Sequence, residues 1–383
     1  VTASAPIPSS DPTERQPRAY GDELHGRGCP IAHGAGDEVV IVGHAEALAA
    51  ATDAEAFSSA VSRFLQIPNG LDGEEHAAFR RLLDRYLALE VVDGYADEFL
   101  AAARSTITEL VTDETVTVDA VAQLGATYAV RSMLAWLGWP VSMEQRLIDW
   151  VIANNEATRS GELERTAAVA EEFDAIIRDA LAESPADSVT RRLVRDESLG
   201  RPLESAEVIS ILRNWTGGDL SSMAYCIGVI LAALVEIPAL QDRLREWEYV
   251  SDAEFVAIMD EILRRDSPFV SNRRITTGPV SVGGAELPAG QSVRIHWTAA
   301  NRDPRRFGEP DAYDPEANAA QNLVWGAGPH ACPGKDLSML ELRAFIDELL
   351  AVVTVTAADT AAGERETHPV GGWASLPVTL TRR

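Results

Sequence analysis

Cys332 stands in the run Trp325-Gly326-Ala327-Gly328-Pro329-His330-Ala331-Cys332-Pro333-Gly334, where glycines and prolines surround one thiol just ahead of a helical pattern. Residues without a Cβ let the backbone approach a flat ligand closely and accept positive φ. The thiol is then placed at the start of the following helix, where unpaired N–H groups and the positive end of the helix dipole favour thiolate. A thiolate so held is a good axial ligand for haem iron.

Other groups have spacings that suit chemistry. Glu261 and Arg264 stand at i, i+3 and pair on a helix. His76 and Arg80 stand at i, i+4, and Arg274 follows in a β-like stretch; these are donors suited to a partly buried anion. A long apolar segment carries Gly217-Gly218-Asp219-Leu220-Ser221-Ser222, an acid and two hydroxyls able to pass protons. His25, Cys29 and His33 are spaced four apart, but Gly26, Gly28 and Pro30 break any helical face that would align them on a metal.

The order aromatic-Gly-x-Gly-x-His-x-Cys-x-Gly resembles the cysteine-ligand loop of the cytochrome P450 family, with Trp325 where the family usually has Phe. The resemblance runs from roughly residue 35 to the end. It implies a mainly α fold with a smaller β portion, the haem lying between a long central helix and the cysteine loop. Cys332 is then the ligand of the iron of haem b, approached by Gly326, Gly328 and Gly334. His76, Arg80, Arg274 and His330 match the family's contacts to the haem propionates. Glu261 and Arg264 match its Glu-x-x-Arg pair. The family joins to that pair an arginine eight residues before the loop aromatic; that position here is Ala317, so Arg302, Arg305 or Arg306 is expected to substitute.

On the oxygen side the family commonly carries an acid and a threonine midway along the long helix. Counting back 16 residues from Pro238 puts Ser222 at the threonine position and Ser221 at the acid position, with Asp219 one turn before Ser222. An alignment on the Gly-Gly pair moves the acid position to Asp219, so Asp219, Ser221 and Ser222 are the relay candidates. Pro333 has no N–H to lend the sulfur, which leaves the thiolate electron-rich and suits both monooxygenation and direct use of peroxide.

These residues need a scaffold. Val39 to Val42 reads as a strand and His44 to Thr52 as a helix, and residues 74 to 238 read as helical nearly throughout. Leu82, Leu83, Tyr86 and Leu87 mark one apolar face, and Leu124, Tyr128, Met133 and Leu134 another. Breaks are expected at Gly94, Gly138-Trp139-Pro140, Gly161 and Gly200-Arg201-Pro202. The apolar segment from Leu203 to Ile237 is long enough to cross a domain. Ser251 to Glu254 forms a capping box. Residues 273–277, 280–282 and 292–297 are β-like, 304–320 is an irregular loop, and Leu337, Leu340, Ala344, Phe345 and Leu349 line the helix after Cys332. A polar leader over 1–34 and a single catalytic domain over 35–383 are expected.

The net charge of −26 argues against nonspecific binding to nucleic acid or anionic membranes. The polar N-terminus and the absence of an 18-residue apolar run predict a cytoplasmic protein without a membrane anchor. The three cysteines are too few and too scattered for a disulfide framework.

The resemblance implies a monooxygenase that inserts one atom of O2 into a small hydrophobic substrate. Electrons come from a separate ferredoxin or flavodoxin with its reductase, so NAD(P)H acts only indirectly. Lys335 with Arg80, Arg81, Arg302, Arg305 and Arg306 is the basic face expected to meet that acidic partner. The alternatives are a peroxide-driven peroxygenase or other haem-thiolate enzyme with an atypical distal relay, and a haem sensor or carrier without turnover. Candidate substrate-lining segments are 57–71, 150–161, 211–222, 268–272 and 371–375.

Overall fold

A computed structural model describes residues 8–13, 15–359 and 362–383. Residues 1–7 and 14 of the expected leader lie outside the described residues. The chain divides into two compact units, each discontinuous in sequence. The first gathers residues 1–78, 257–332 and 366–372; the second gathers 79–256, 333–365 and 373–383.

The first unit is built on a five-stranded sheet, in the order Ile31–His33, Val39–Ile41, Ser292–His296, Ser271–Thr276, Phe57–Ser58. Val39–Ile41 runs parallel to Val293–Ile295, and the other neighbours are antiparallel. Val39, Ile41, Val293 and Ile295 pack with Ala47, Phe57, Trp297 and Leu323 in one buried cluster. Part of the expected leader belongs here: Pro17–Gly26 is a helix whose Tyr20 and Leu24 are buried, and Ile31–His33 is the edge strand. The reason is local. Tyr20 and Leu24 are four apart on one helical face and give the polar-looking segment an apolar stripe.

The second unit is mostly helical, as the periodicity of residues 74–238 predicts. Helices Ala126–Leu137 and Glu144–Ser160 end on Gly138 and Gly161, each at left-handed φ, where the expected breaks lie. The helix Ser205–Glu236 runs without interruption. It opens on a capping box between Glu204 and Glu207, and it closes at Ile237, whose non-helical backbone Pro238 favours. By length and apolarity it matches a membrane span, but 67% of its most apolar window is buried within the protein, as in a core helix. Gly125 lets the segment before Ala126–Leu137 lie against it, since a Cβ there would stand 2.7 Å from the Ala224 carbonyl oxygen. The nearly all-helical expectation fails at Thr115–Asp119. That strand pairs with Pro377–Arg382, which pairs in turn with Val353–Ala357.

Candidate functional site

In the first unit the cysteine loop is closed by its own backbone. The Cys332 N–H donates to the Trp325 carbonyl at 2.8 Å, and the Ala331 N–H to that of Gly328 at 3.0 Å. Gly326 and Gly328 both have positive φ. Gly328 is also required by packing, because a Cβ there would meet the Ala51 carbonyl oxygen at 2.4 Å. The Trp325 indole N–H donates to Asp260 at 2.6 Å, which fixes the ring that starts the loop. Cys332 itself is exposed. The helix Lys335–Val352 has Gly334 as its cap, so the thiol stands two residues outside the helix rather than at its start.

Around this loop the first unit assembles a cluster. The His76 and His330 rings lie 4.1 Å apart, centroid to centroid. His330 shares a 3.0 Å hydrogen bond with the Ser59 hydroxyl and stands 3.8 Å from the Asp72 carboxylate. Asp72 accepts from the Ser59 N–H at 2.9 Å and from the Ser58 hydroxyl at 2.5 Å. Ser59 was expected only within the substrate-lining segment 57–71, and Asp72 was not among the sequence candidates; the Asp-Gly step opening the helix Gly73–Leu87 was the available signal.

Arg274 is 6% exposed, and among the described residues its one side-chain hydrogen bond, at 2.8 Å, goes to the Arg273 carbonyl. Burial pulls its pKa down, and Asp72 opposes this at longer range. Among the described residues no carboxylate pairs with it within 4.0 Å. A buried guanidinium without a counter-charge is costly unless an anion joins it. A haem propionate is such an anion, so these residues fit haem. Arg80, expected in the same role, pairs with Asp84 one turn further along its helix.

The Glu-x-x-Arg pair is fully internal. Arg264 donates to Glu261 through Nε at 2.7 Å and Nη2 at 2.9 Å, and to the carbonyls of Asn301, Pro310 and Ala312. None of the three arginines expected to substitute for the missing one reaches Glu261. Arg302 is buried between Asp22 and Asp311, Arg305 is held by Asp303 and Glu46, and Arg306 is exposed. Asn318 takes the place instead: its amide donates to Glu261 at 2.9 Å, beside the Asp314 N–H at 3.0 Å. Glu261 already has a cation in Arg264, so a neutral donor completes its lone pairs without adding charge. Burial also removes Arg302 from the expected basic face.

In the second unit the long helix carries the relay candidates. Ser221 accepts a 3.3 Å hydrogen bond from the Asn154 amide. Asp219 is 7% exposed and its carboxyl meets that of Glu341, fully buried on the helix Lys335–Val352. Burial pushes the Asp219 pKa up to about 7, opposed by the neighbouring Glu341 carboxyl. Burial and the adjacent Asp219 push Glu341 well above the carboxylate range. Glu341 too was missed, although it sits between Leu337 and Phe345 on the apolar face, where a carboxyl is out of place. At Gly217 and Gly218 an added Cβ would meet nothing within 4 Å, so the helix keeps open space beside the relay. Of the expected substrate-lining residues, Trp150 is tied up in packing: it stacks on Phe173 at 3.9 Å and donates to the Val169 carbonyl.

A family model described as Cytochrome P450 matches residues 223–369. The erythromycin C-12 hydroxylase of Saccharopolyspora erythraea is 27% identical over 325 residues, covering 80% of each chain. The cyclomarin C epoxidase CymV of Salinispora arenicola is 28% identical over 320 residues, covering 78% of this chain and 79% of that one. Among solved structures, open cytochrome P450 EryK from S. erythraea superposes with a TM-score of 0.83 at 26% identity, over 95% of both chains. Cytochrome P450 CYP101C1 superposes with a TM-score of 0.84 at 24% identity, over the full length of both.

Proposed function

Because the chain belongs to the cytochrome P450 family of haem-thiolate monooxygenases, we propose that it binds haem b through Cys332 and hydroxylates or epoxidises a hydrophobic small molecule. The observation that carries this reading is the pairing of an exposed thiol on a glycine-turned loop with Arg274, a buried cation lacking a counter-charge. The relatives named above are a hydroxylase and an epoxidase, and both reactions add one oxygen atom to carbon. Haem, when bound, supplies the iron at which dioxygen is activated. Arg274, His76 and His330 hold its propionates; Ser59 and Asp72 fix the orientation of His330. Asp219, Ser221 and Ser222 carry protons on the oxygen side. Electrons reach the enzyme from a cytoplasmic ferredoxin or flavodoxin served by an NAD(P)H-dependent reductase.

The first test is the carbon monoxide spectrum of the reduced protein, followed by a screen for substrate-induced spectral shifts. Product formed only with NAD(P)H, redox partners and dioxygen upholds the reading. Product from hydrogen peroxide alone makes the chain a peroxygenase instead.

Arg274→Gln removes a charge-assisted contact worth about 1.5–3 kcal/mol. Haem transfer to a globin apoprotein is then expected to be about 10- to 100-fold more favourable, while the haem-free protein melts no lower than wild type, since a buried unpaired charge has gone. Ser222→Ala is expected to leave dioxygen consumption running while product per dioxygen falls by on the order of 100-fold, the low end of what a positioned proton donor commonly contributes. Unchanged coupling would remove Ser222 from the relay.

A further inference from the structure

Asp72 is a carboxylate set among groups that suit an anion. In the first unit its Oδ1 accepts from the Ser59 N–H at 2.9 Å and its Oδ2 from the Ser58 hydroxyl at 2.5 Å, contacts that an ionised carboxylate makes as acceptor only. The same Oδ1 stands 3.8 Å from His330 Nε2. His76, in the first turn of the helix that follows Asp72, lies against the His330 ring at 4.1 Å. Phe57 and Ser58 pair with Thr276 and Ile275, so the strand that Asp72 fastens is the neighbour of the strand carrying Arg274. The charge of Asp72 is felt at that buried guanidinium, where it works against the effect of burial.

A carboxylate is out of place where propionates are to be held. Haem brings two of them, and the free guanidinium that meets them is Arg274, since Arg80 is paired with Asp84 at 2.6 Å. Asp72 adds a third negative charge to the cluster. Like charges close together in a partly desolvated site repel. The same charge acts on the iron: ferric iron carries one positive charge more than ferrous, so a nearby anion favours the ferric state. We propose that Asp72 is a fixed anion that tunes the haem, weakening the hold of Arg274, His76 and His330 on the propionates and lowering the reduction potential of the iron. This rests on the haem-thiolate reading given under Proposed function.

Asp72 also has a positioning role, because it holds Ser59 against His330. That role does not call for a carboxylate. An amide or a hydroxyl oxygen accepts from the Ser59 N–H equally well, and what a carboxylate alone adds is its charge. The two roles differ in sign. If Asp72 only positioned His330, its loss would loosen the haem; as a repelling anion, its loss tightens it. The Asp72 side chain is 27% exposed, so solvent screens part of the charge and the effect is on the order of ten-fold, well below that of a deeply buried pair. Until a propionate arrives, Asp72 serves Arg274 as a distant counter-charge, which gives an anion site reason to contain an anion of its own.

The test compares haem-loaded variants with haem-loaded wild type. In Asp72→Asn, haem transfer to a globin apoprotein is expected to become about ten-fold less favourable, the reverse of Arg274→Gln. In a redox titration its ferric–ferrous midpoint is expected to rise by about three-fold in the ferrous-to-ferric ratio, or about 30 mV at ~59 mV per ten-fold for one electron. Asp72→Ser, neutral but of a different shape, is expected to raise the midpoint likewise, and Asp72→Glu, which keeps the charge, to leave it near the wild-type value. Ser59→Ala removes the contact to His330 without touching the charge; it is expected to release haem more readily with little movement of the midpoint. Easier haem release from Asp72→Asn, or a midpoint that stays or falls in both neutral variants, means that Asp72 acts only by holding Ser59 and overturns the proposal. Failure of the haem-thiolate reading is seen separately and overturns both: the wild type then takes up no haem or lacks the carbon monoxide band of a thiolate ligand.

Discussion

Serine in place of Cys332 yields a folded protein without the thiolate signature: the reduced carbon monoxide complex loses the absorption band of a sulfur-ligated haem, and oxygenation falls by ~1,000-fold or more, about 4 kcal/mol of barrier. The fold survives because the backbone N–H of this residue, which closes the loop on Trp325, is kept whichever side chain it carries. Its side chain is exposed, and exposed substitutions away from caps and strained backbone change stability by about 0.5 kcal/mol or less. The deficit is therefore chemical. A serine hydroxyl stays protonated where a thiol ionises, and it cannot push electron density toward the oxygen–oxygen bond. Thermal melting of the haem-free variant beside wild type, together with the two spectra, checks both halves of this expectation.

Glu261→Ala is expected to have the opposite character, a loss of fold before any loss of chemistry. Arg264 is 0% exposed and gives two of its hydrogen bonds to Glu261. Removing the carboxylate strands a buried guanidinium on backbone carbonyls alone, which costs about 3–5 kcal/mol, a large part of a domain's stability. It also orphans the Asn318 amide and the Asp314 N–H, which anchor the stretch leading to the cysteine loop. Chemical denaturation should show the midpoint falling with little change in slope. Asn318→Ala, which leaves the ion pair whole, should cost only about 1 kcal/mol. Equal losses in the two variants would mean that Asn318, not the ion pair, holds the segment.

The cysteine loop and the helix ends were legible from residue types, because glycine and proline act locally. Gly138 and Gly161 terminate helices through their own backbone freedom, and Pro238 ends the long helix through the residue before it. The strand Thr115–Asp119 was not read, although it alternates strictly. Its partner is Pro377–Arg382, more than 250 residues away, and nothing near it marks the pairing. Asn318 and Glu341 were missed for the same cause. Each is an ordinary residue until the fold sets it against Glu261 or Asp219. Ala317 pointed to a missing cation, and the chain supplied the lost hydrogen bond from the next residue without the charge.

The discontinuous make-up of the first unit bears on how the protein is made. Val39–Ile41 is complete early in synthesis, yet its parallel neighbour Val293–Ile295 follows roughly 250 residues later, a delay on the order of 10–50 s at ribosomal rates. Through that interval the nascent chain carries a hydrophobic strand with an unpaired edge, open to wrong partners. High relative contact order slows folding further once the partner arrives. Slower translation and chaperone supply should therefore raise the soluble yield more than any surface substitution. Neither unit can be expressed as one contiguous fragment, because a cut at either boundary separates strands or helices that complete a single core.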